Sequence, residues 1–490
     1  MNTSFLRDVL VGAPFVILGM GLVGLLLMDA FYRRKWMPAA WSAGAILLSL
    51  LILECSHRDF GAGRTIFGGF VYADPYSLFF GMLVLGGSLL ALLPAIKTLR
   101  SEGIEDEAQY YQLFIASVLG ALLFVQAAEF ITLFIGLELM SLSLYCLCGG
   151  ALRRRSSSEA ALKYFVLGSF GSAFLLFGIA IVYAMTGTTL IAGVSDALSG
   201  RNLDHVFLFI AFGCMATGLF FKIGLVPFQF WVPDVYQGAP TPVTVFMSTV
   251  VKVASLGAAL RVLWGSFSEV VVFWQGAVWI VSLLSVLFGN LVALRQRSLK
   301  RMLAYSSIAH SGYVMMAFLA PAGLYGGGAA DLYYCVAYLL MTMGAFTVVI
   351  IASAPFSLSA DPDDISRFNG LGYRQPFFAA MMSLFMLALA GLPPGMAGLL
   401  AKFYAFNAAI KAGYVLLPVL GVIGSAISCY YYLRVIVAMY FVENDEQILL
   451  PFESLRAVTV LLWVCALGVV LLGVFPATLY EFCASVMELF

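Results

Sequence analysis

Apolar runs of about twenty residues follow one another along this chain, separated only by short breaks rich in charge, Gly or Pro. A run of that length crosses the hydrocarbon core of a bilayer as an α-helix, which rises about 1.5 Å per residue over about 30 Å. A helix also satisfies its own backbone N–H and C=O groups where no water can. Membrane barrels show shorter segments of alternating polarity, and these runs do not alternate. The first run is long enough to span and lacks an early small-residue cleavage site, so it is expected to stay in the protein. Only 11% of the 490 residues are charged and 62% are hydrophobic, with a mean hydropathy of +0.99. Soluble domains carry charge on about a quarter of their residues, so this chain could not stay dissolved.

The expected fold is an all-α integral membrane protein of about fourteen transmembrane helices. Spans one to seven are expected at 9–31, 38–53, 76–96, 110–127, 130–150, 161–183 and 206–231. Spans eight to fourteen follow at 243–263, 271–293, 302–320, 332–352, 376–406, 415–440 and 457–480. Loops after odd-numbered spans carry seventeen Lys or Arg, among them Arg33, Arg34, Lys35, Arg154 and Lys300. The other side carries six, among them Arg7, Arg201 and Arg261. The basic side is therefore cytoplasmic and both termini face the non-cytoplasmic side.

Three basic residues, Lys222, Lys252 and Lys402, remain inside spans. Glu138 is their acidic counterpart, near the middle of span five. A charge at the centre of a span costs about 2.5–3.5 kcal/mol on insertion scales and marks a functional site by default. The competing structural readings are an ion pair that tethers two helices and a lysine that snorkels to the headgroups. Lys252 lies too deep to snorkel, and four such residues of both signs exceed what tethering needs. Burial weakens a lysine's hold on its proton and a nearby carboxylate strengthens it, so such a row is suited to relaying protons. His310, in span ten, is a weaker member of the row, with packing as the competing role. Asp29, Glu54, Glu129 and Asp331 fall near span ends and are expected at the interface.

Prolines sharpen the picture. Pro227 and Pro233 interrupt span seven beyond Lys222, and Pro393 and Pro394 interrupt span twelve before Lys402. Broken helices at membrane depth persist only where they line a cavity or are buried in protein. The two broken helices lie five spans apart, and an odd offset reverses direction across the membrane. Two inverted five-helix repeats are expected, at 106–265 and 266–442, between a three-helix segment at 1–105 and a final helix at 443–490.

Net charge is zero, which argues against nucleic acid as a partner. The eight cysteines are scattered. Cys146 and Cys148, the nearest pair, face different directions on a helix, so packing is the better reading than metal or redox chemistry. No iron–sulfur, haem or nucleotide fingerprint is present, and no cofactor is expected in this chain.

Three stretches together carry a family resemblance: ALKYFVLGSFGSA at 161–173, PFQFWVPDVYQGAPTPVTVF at 227–246 and LKRMLAYSSIAHSGY at 299–313. They resemble the antiporter-like membrane subunits of respiratory complex I, and the likeness covers about spans four to thirteen. DVYQGAPTP and a lysine at 402 look most like the N-type branch, since M-type members tend to have glutamate there. The long C-terminal lateral helix of L-type members is not expected.

The resemblance implies that Glu138 pairs with Lys222, that Lys252 is the central lysine and that Lys402 governs exchange with one side of the membrane. It also implies NADH, flavin, iron–sulfur clusters and quinone in partner subunits, with M-like and K-like membrane neighbours and, through them, a redox arm. The setting is the bacterial inner membrane. Gln229 stands where the family often has histidine, which argues against a protonation role there, and GLPPGMAGL replaces GIPPTAGF. A multisubunit sodium/proton antiporter subunit, which shares the fold, and a sealing scaffold that pumps nothing are the alternatives.

Overall fold

The computed structural model describes residues 3–31, 36–61, 63–199, 205–321, 325–352, 363–442 and 456–490. Arg33, Arg34, Lys35 and Arg201 lie outside the described residues. The helices in chain order are α1 (Thr3–Phe31), α2 (Met37–Cys55), α3 (Pro75–Thr98), α4 (Glu107–Gln126), α5 (Phe130–Cys148), α6 (Arg155–Thr186) and α7 (Ile191–Ser199). Next come α8 (His205–Ile223), α9 (Trp231–Gly238), α10 (Thr241–Phe246), α11 (Lys252–Ser266), α12 (Val271–Ala293) and α13 (Leu299–Ala317). The last are α14 (Gly327–Ala352), α15 (Leu371–Arg374), α16 (Pro376–Ala390), α17 (Met396–Lys411), α18 (Leu416–Phe441), α19 (Arg456–Val474) and α20 (Pro476–Glu488). A two-stranded antiparallel ribbon, β1 (Thr65–Ile66) with β2 (Val71–Tyr72), joins α2 to α3.

Among the described residues, twelve helical segments are long and apolar enough to cross a membrane. Thr241–Ser266, made of α10, a π-helical turn at Met247–Val251 and α11, is one continuous rod at the centre, buried along its length. The outer faces of α6, α8, α12 and α18 expose Phe170, Phe177, Phe209, Ile280 and Val422, as a surface facing lipid tails does. The expected tenth span is α13, too rich in Ser, His and charge to count as apolar. The expected twelfth is split into α16 and α17. The expected final helix is also divided: α19 ends at Val474, and α20 starts at Pro476 and packs on α3 and α14.

Local chemistry sets the helix ends. Asp74, Asp106 and Ser298 cap α3, α4 and α13 by accepting from the backbone N–H groups of Ser77, Gln109 and Arg301. Lipid gives no hydrophobic force between helices, so close backbone contact holds them. A Cβ on Gly136 would stand 2.6 Å from the Phe124 N on α4, and one on Gly120 2.3 Å from the Met140 N on α5. The same device recurs five spans later, where Gly289 of α12 and Gly312 of α13 meet the partner's backbone at 2.7 and 2.8 Å.

Charged side chains stitch the two faces of the bundle. On the basic face, Asp234 of α9 accepts from Lys163 of α6 at 2.8 Å and from Arg301 of α13 at 2.6 Å. Buried Glu102, between α3 and α4, accepts from Arg154 at 2.9 Å and Thr241 at 2.7 Å, and Lys300 pairs with Asp363 at 3.4 Å. On the opposite face Arg261 grips Asp74 with two hydrogen bonds of 2.8 and 2.9 Å. Counting loop charges assigned Arg261 to the outer loops, but it is buried within α11, inside the bundle. Its depth is tolerated because the guanidinium is paired and packs over the Tyr72 and Tyr76 rings, at 4.3 and 4.5 Å.

Gly136→Leu drives side-chain atoms into the α4 backbone and is expected to destabilise the subunit by about 1–3 kcal/mol. Gly213→Ala, with open space around it, is expected to be neutral or slightly stabilising. Thermal aggregation of the detergent-solubilised protein checks the pair. The Asp74 clamp has a pH signature. Burial alone would raise the Asp74 carboxyl, but the Arg261 charge and hydrogen bonds, with those from Ser77, outweigh it and hold the carboxyl below its ordinary range. Its contribution is therefore complete above the ordinary carboxylate value of about 4 and is lost as pH falls through the depressed one. Asp74→Asn is expected to remove that acid-dependent loss of thermal stability and to cost about 3–5 kcal/mol at neutral pH, because Arg261 is left unpaired.

Candidate functional site

Helix α8 ends where Gly224 turns to φ +79°, and chain direction resumes at α9 after Pro227. The freed backbone is satisfied from neighbouring elements: Val226 N–H donates to Ser285 Oγ of α12 at 2.9 Å, and Trp231 Nε1–H to Phe221 O at 2.9 Å. Span twelve breaks in the same manner, with Gly391 at φ +85° after α16 and Pro393–Pro394 before α17. Lys222 sits in the last turn of α8, at the partial negative end of that half-helix. Lys402 precedes no break, yet its ammonium reaches back to the carbonyl end of α16. It donates to Leu389 O and Ala390 O, both at 3.0 Å, and to Ser425 Oγ of α18 at 2.9 Å. In sequence the two lysines stand on opposite sides of their breaks. In space both belong to the C-terminal end of the first half-helix.

Lys252 follows the π-helical turn of the central rod and donates to the Ser307 carbonyl of α13 at 2.9 Å, with a second, short bond to Ser307 Oγ. Turns of that kind are frequent at functional sites. Lys222 donates to Ser141 Oγ of α5 at 2.8 Å and Tyr164 Oη of α6 at 2.9 Å. All three ammonium groups are buried, and among the described residues none forms a salt bridge with a carboxylate. The implied contact between Glu138 and Lys222 is thus absent in this state. Glu138 Oε1 is buried without a hydrogen-bond partner, while Ser141, which holds Lys222, lies one helical turn further along α5.

His310 lies between the second and third lysines. Its Nδ1 is 2.7 Å from Tyr334 Oη of α14 and its Nε2 is 3.3 Å from Tyr432 Oη of α18, which also meets Ser306 Oγ in a short bond. Tyr313 carries the row onward: its ring lies 5.8 Å from the His310 ring and 5.1 Å from Lys402 Nζ. Its hydroxyl accepts from Asn290 Nδ2 at 3.0 Å. Hydroxyl groups and carbonyls, rather than carboxylates, surround the cations from one end of the row to the other. Such ligands stabilise an ammonium without fixing its charge, which leaves proton gain and loss available.

The matching family model is NADH:quinone oxidoreductase/Mrp antiporter, transmembrane, over residues 127–428. The chain belongs to that family. NADH-quinone oxidoreductase subunit N of Trichlorobacter lovleyi is 37% identical over 486 residues, covering 97% of this chain and 96% of the relative. A chain of respiratory complex I from Thermus thermophilus, solved with bound aureothin, superposes with a TM-score of 0.77 at 33% identity, over 95% of this chain and 99% of that one. A chain of the Mrp complex from Dietzia sp. DQ12-45-1b shares the fold, with a TM-score of 0.83 at 18% identity, over 99% and 97% of the two chains.

In this member of the NADH:quinone oxidoreductase/Mrp antiporter family, the charged residues read from sequence form the skeleton of the row, but the sequence reading missed its hydroxyl groups. Ser141, Tyr164, Ser307, Ser425, Tyr334 and Tyr432 supply most of the contacts. Hydroxyls at helical spacing from the charged residues were the available signal, as with Ser141 three residues after Glu138. Asp331, expected at the interface, is instead buried with neither carboxyl oxygen hydrogen-bonded.

Capping of α16 by Lys402 has a stability consequence. Lys402→Met leaves the Leu389 carbonyl without its donor, at about 1–3 kcal/mol, and leaves Ala390 O only the longer bond from Ser425 Oγ at 3.4 Å. Lys222→Met frees only hydroxyl groups, of which Ser141 keeps its bond to Leu137 O. Thermal unfolding of the solubilised complex is expected to rank Lys402→Met as clearly less stable than Lys222→Met.

Proposed function

We propose that this chain is a proton-translocating membrane subunit of an N-type NADH–quinone oxidoreductase, and that Glu138, Lys222, Lys252, His310 and Lys402 form its mid-membrane relay. The carrying observation is the row of buried ammonium groups that form no salt bridge with a carboxylate among the described residues, each held by hydroxyl or carbonyl oxygen. In the proposed cycle, Lys222 leaves Ser141 and Tyr164 for the Glu138 carboxylate one helical turn away. Its change of charge is felt in turn at Lys252, His310 and Lys402. The recurrence of broken helices and glycine contacts five spans apart supports two inverted repeats meeting at the α12 boundary.

Moving one charge through the membrane field takes about 2.3 kcal/mol per 100 mV, so the relay requires an outside energy source. Quinone reduction by NADH in partner subunits, which would carry the flavin and iron–sulfur clusters, is the proposed source. Those partners would be the other membrane subunits of complex I and, through them, the redox arm. The setting would be the bacterial inner membrane, with both termini on the non-cytoplasmic side. Sodium exchange, the rival activity, calls for a cage of oxygen ligands including carboxylates, and the deep groups here are amines.

Lys252→Met in the assembled complex tests the proposal. In inverted membrane vesicles supplied with NADH and quinone, proton uptake per unit of assembled complex is expected to fall at least twofold. Uptake at the wild-type rate contradicts the relay. A loss confined to sodium-dependent transport favours the antiporter.

A further inference from the structure

The relay above runs parallel to the membrane plane and leaves open how a proton reaches the face opposite the basic loops. One buried group has the position to serve. Asp331 lies in the second turn of α14, which begins on that opposite face, since α13 starts at the basic face with Lys300 and Arg301. It is 2% exposed, and both of its carboxyl oxygens lack a hydrogen-bond partner among the described residues. Buried polar atoms of this kind are rare and call for an explanation. An ionised carboxylate left unpaired there would cost several kcal/mol, so the resting group is the neutral acid, with an O–H to give.

Helical spacing ties Asp331 to the relay. Residues 331, 334 and 338 recur at i, i+3 and i+7, which places them along one stripe of α14 about 10 Å long. Tyr334 bonds to His310, and the Tyr338 ring lies 6.0 Å from Lys252 Nζ. On its other side, α14 packs against α3, which carries Tyr76, and against α20. The Tyr76 hydroxyl donates to Gly257 O at 2.7 Å, and its ring packs on Arg261 and, at 4.7 Å, on Phe490. Beyond Tyr76 lies a cavity of about 310 Å³ lined by Thr65, Tyr72, Asp74, Leu190, Arg261 and Phe490. Thr65 and Tyr72 belong to the ribbon on that same face. The stripe, the aspartate and the cavity therefore follow one another from mid-membrane to the opposite surface.

We infer that Asp331 is a proton carrier on a branch from His310 to the face opposite the basic loops, with the cavity beside Asp74 and Arg261 as its outer end. In this branch the neutral Asp331 acid first releases its O–H proton toward the cavity. His310 then passes a proton to the Tyr334 hydroxyl, which gives up its own through a water molecule to the Asp331 carboxylate and restores the neutral acid. One proton enters and one leaves, and no other bond changes. The inference rests on the proton-translocating reading proposed above.

Asp331→Asn matches the neutral acid in size and shape but has no proton to release, so it separates carriage from packing. In inverted vesicles with NADH and quinone, proton uptake per unit of assembled complex is measured for the wild type, Asp331→Asn and Lys252→Met. The inference expects both variants to lose uptake at least twofold. Loss in Lys252→Met with wild-type uptake in Asp331→Asn overturns the assignment of Asp331 and leaves the relay standing. Wild-type uptake in both overturns the relay and the branch together. If Asp331→Asn does not assemble, Asp331→Glu, which keeps a carboxyl, is compared with the wild type by infrared difference spectroscopy on turnover. A carboxyl C=O band that shifts between the two proteins supports the inference, and identical difference spectra overturn it.

Discussion

A buried ammonium must have oxygen around it, and in this protein that requirement organises the helices. Lys222, Lys252 and Lys402 each lie where a continuous apolar helix would offer nothing to bond. The structure answers by breaking helices or crossing them. The end of α16 turns its carbonyls to Lys402, and α13 brings the Ser307 carbonyl and hydroxyl to Lys252. Helices α5 and α6 bring Ser141 and Tyr164 to Lys222. The glycine contacts that let α4 lie on α5, and α12 on α13, bring these oxygen-bearing helices close to the amines. Among the described residues, the ion pairs at Asp234, Glu102, Lys300 and Arg261 lie toward the two faces, where fixed charge stabilises without obstructing the row.

Much of this was legible in the sequence, for physical reasons. Length and apolarity identify spans because lipid allows few alternatives, and a charge in such a run stands out against its background. The breaks were legible because proline cannot continue a helix. The faces of the helices were harder to read. Arg261 looked like a loop residue because a span end and a buried helix end have the same composition, and only the packing of Asp74 and Tyr76 against it distinguishes them. Asp331 was misplaced for the same reason. Serine and tyrosine were overlooked because they occur on lipid-facing and buried surfaces alike. The absent contact between Glu138 and Lys222 lay beyond sequence reading, since one sequence is compatible with both engaged and disengaged states.

The arrangement also explains why the chain needs company. Its hydroxyl-bonded lysines supply no energy, and no step among them is downhill against a membrane potential without a change imposed from outside. Glu138, with an oxygen left unbonded one turn from the residue that holds Lys222, is the point where such a change would enter. A shift of about one helical turn there would exchange hydroxyl partners for a carboxylate, and the field of that exchange would reach the rest of the row.

The central claim is that the deep lysines change charge during turnover. Nitrogen NMR of the assembled complex, with ¹⁵N in the lysine side chains and the deep signals assigned through single Lys→Arg variants, reads that charge directly. The account predicts ammonium signals of Lys222, Lys252 and Lys402 that partly convert to neutral amine when NADH and quinone drive the enzyme. Three ammonium signals that stay unchanged between rest and turnover would contradict it.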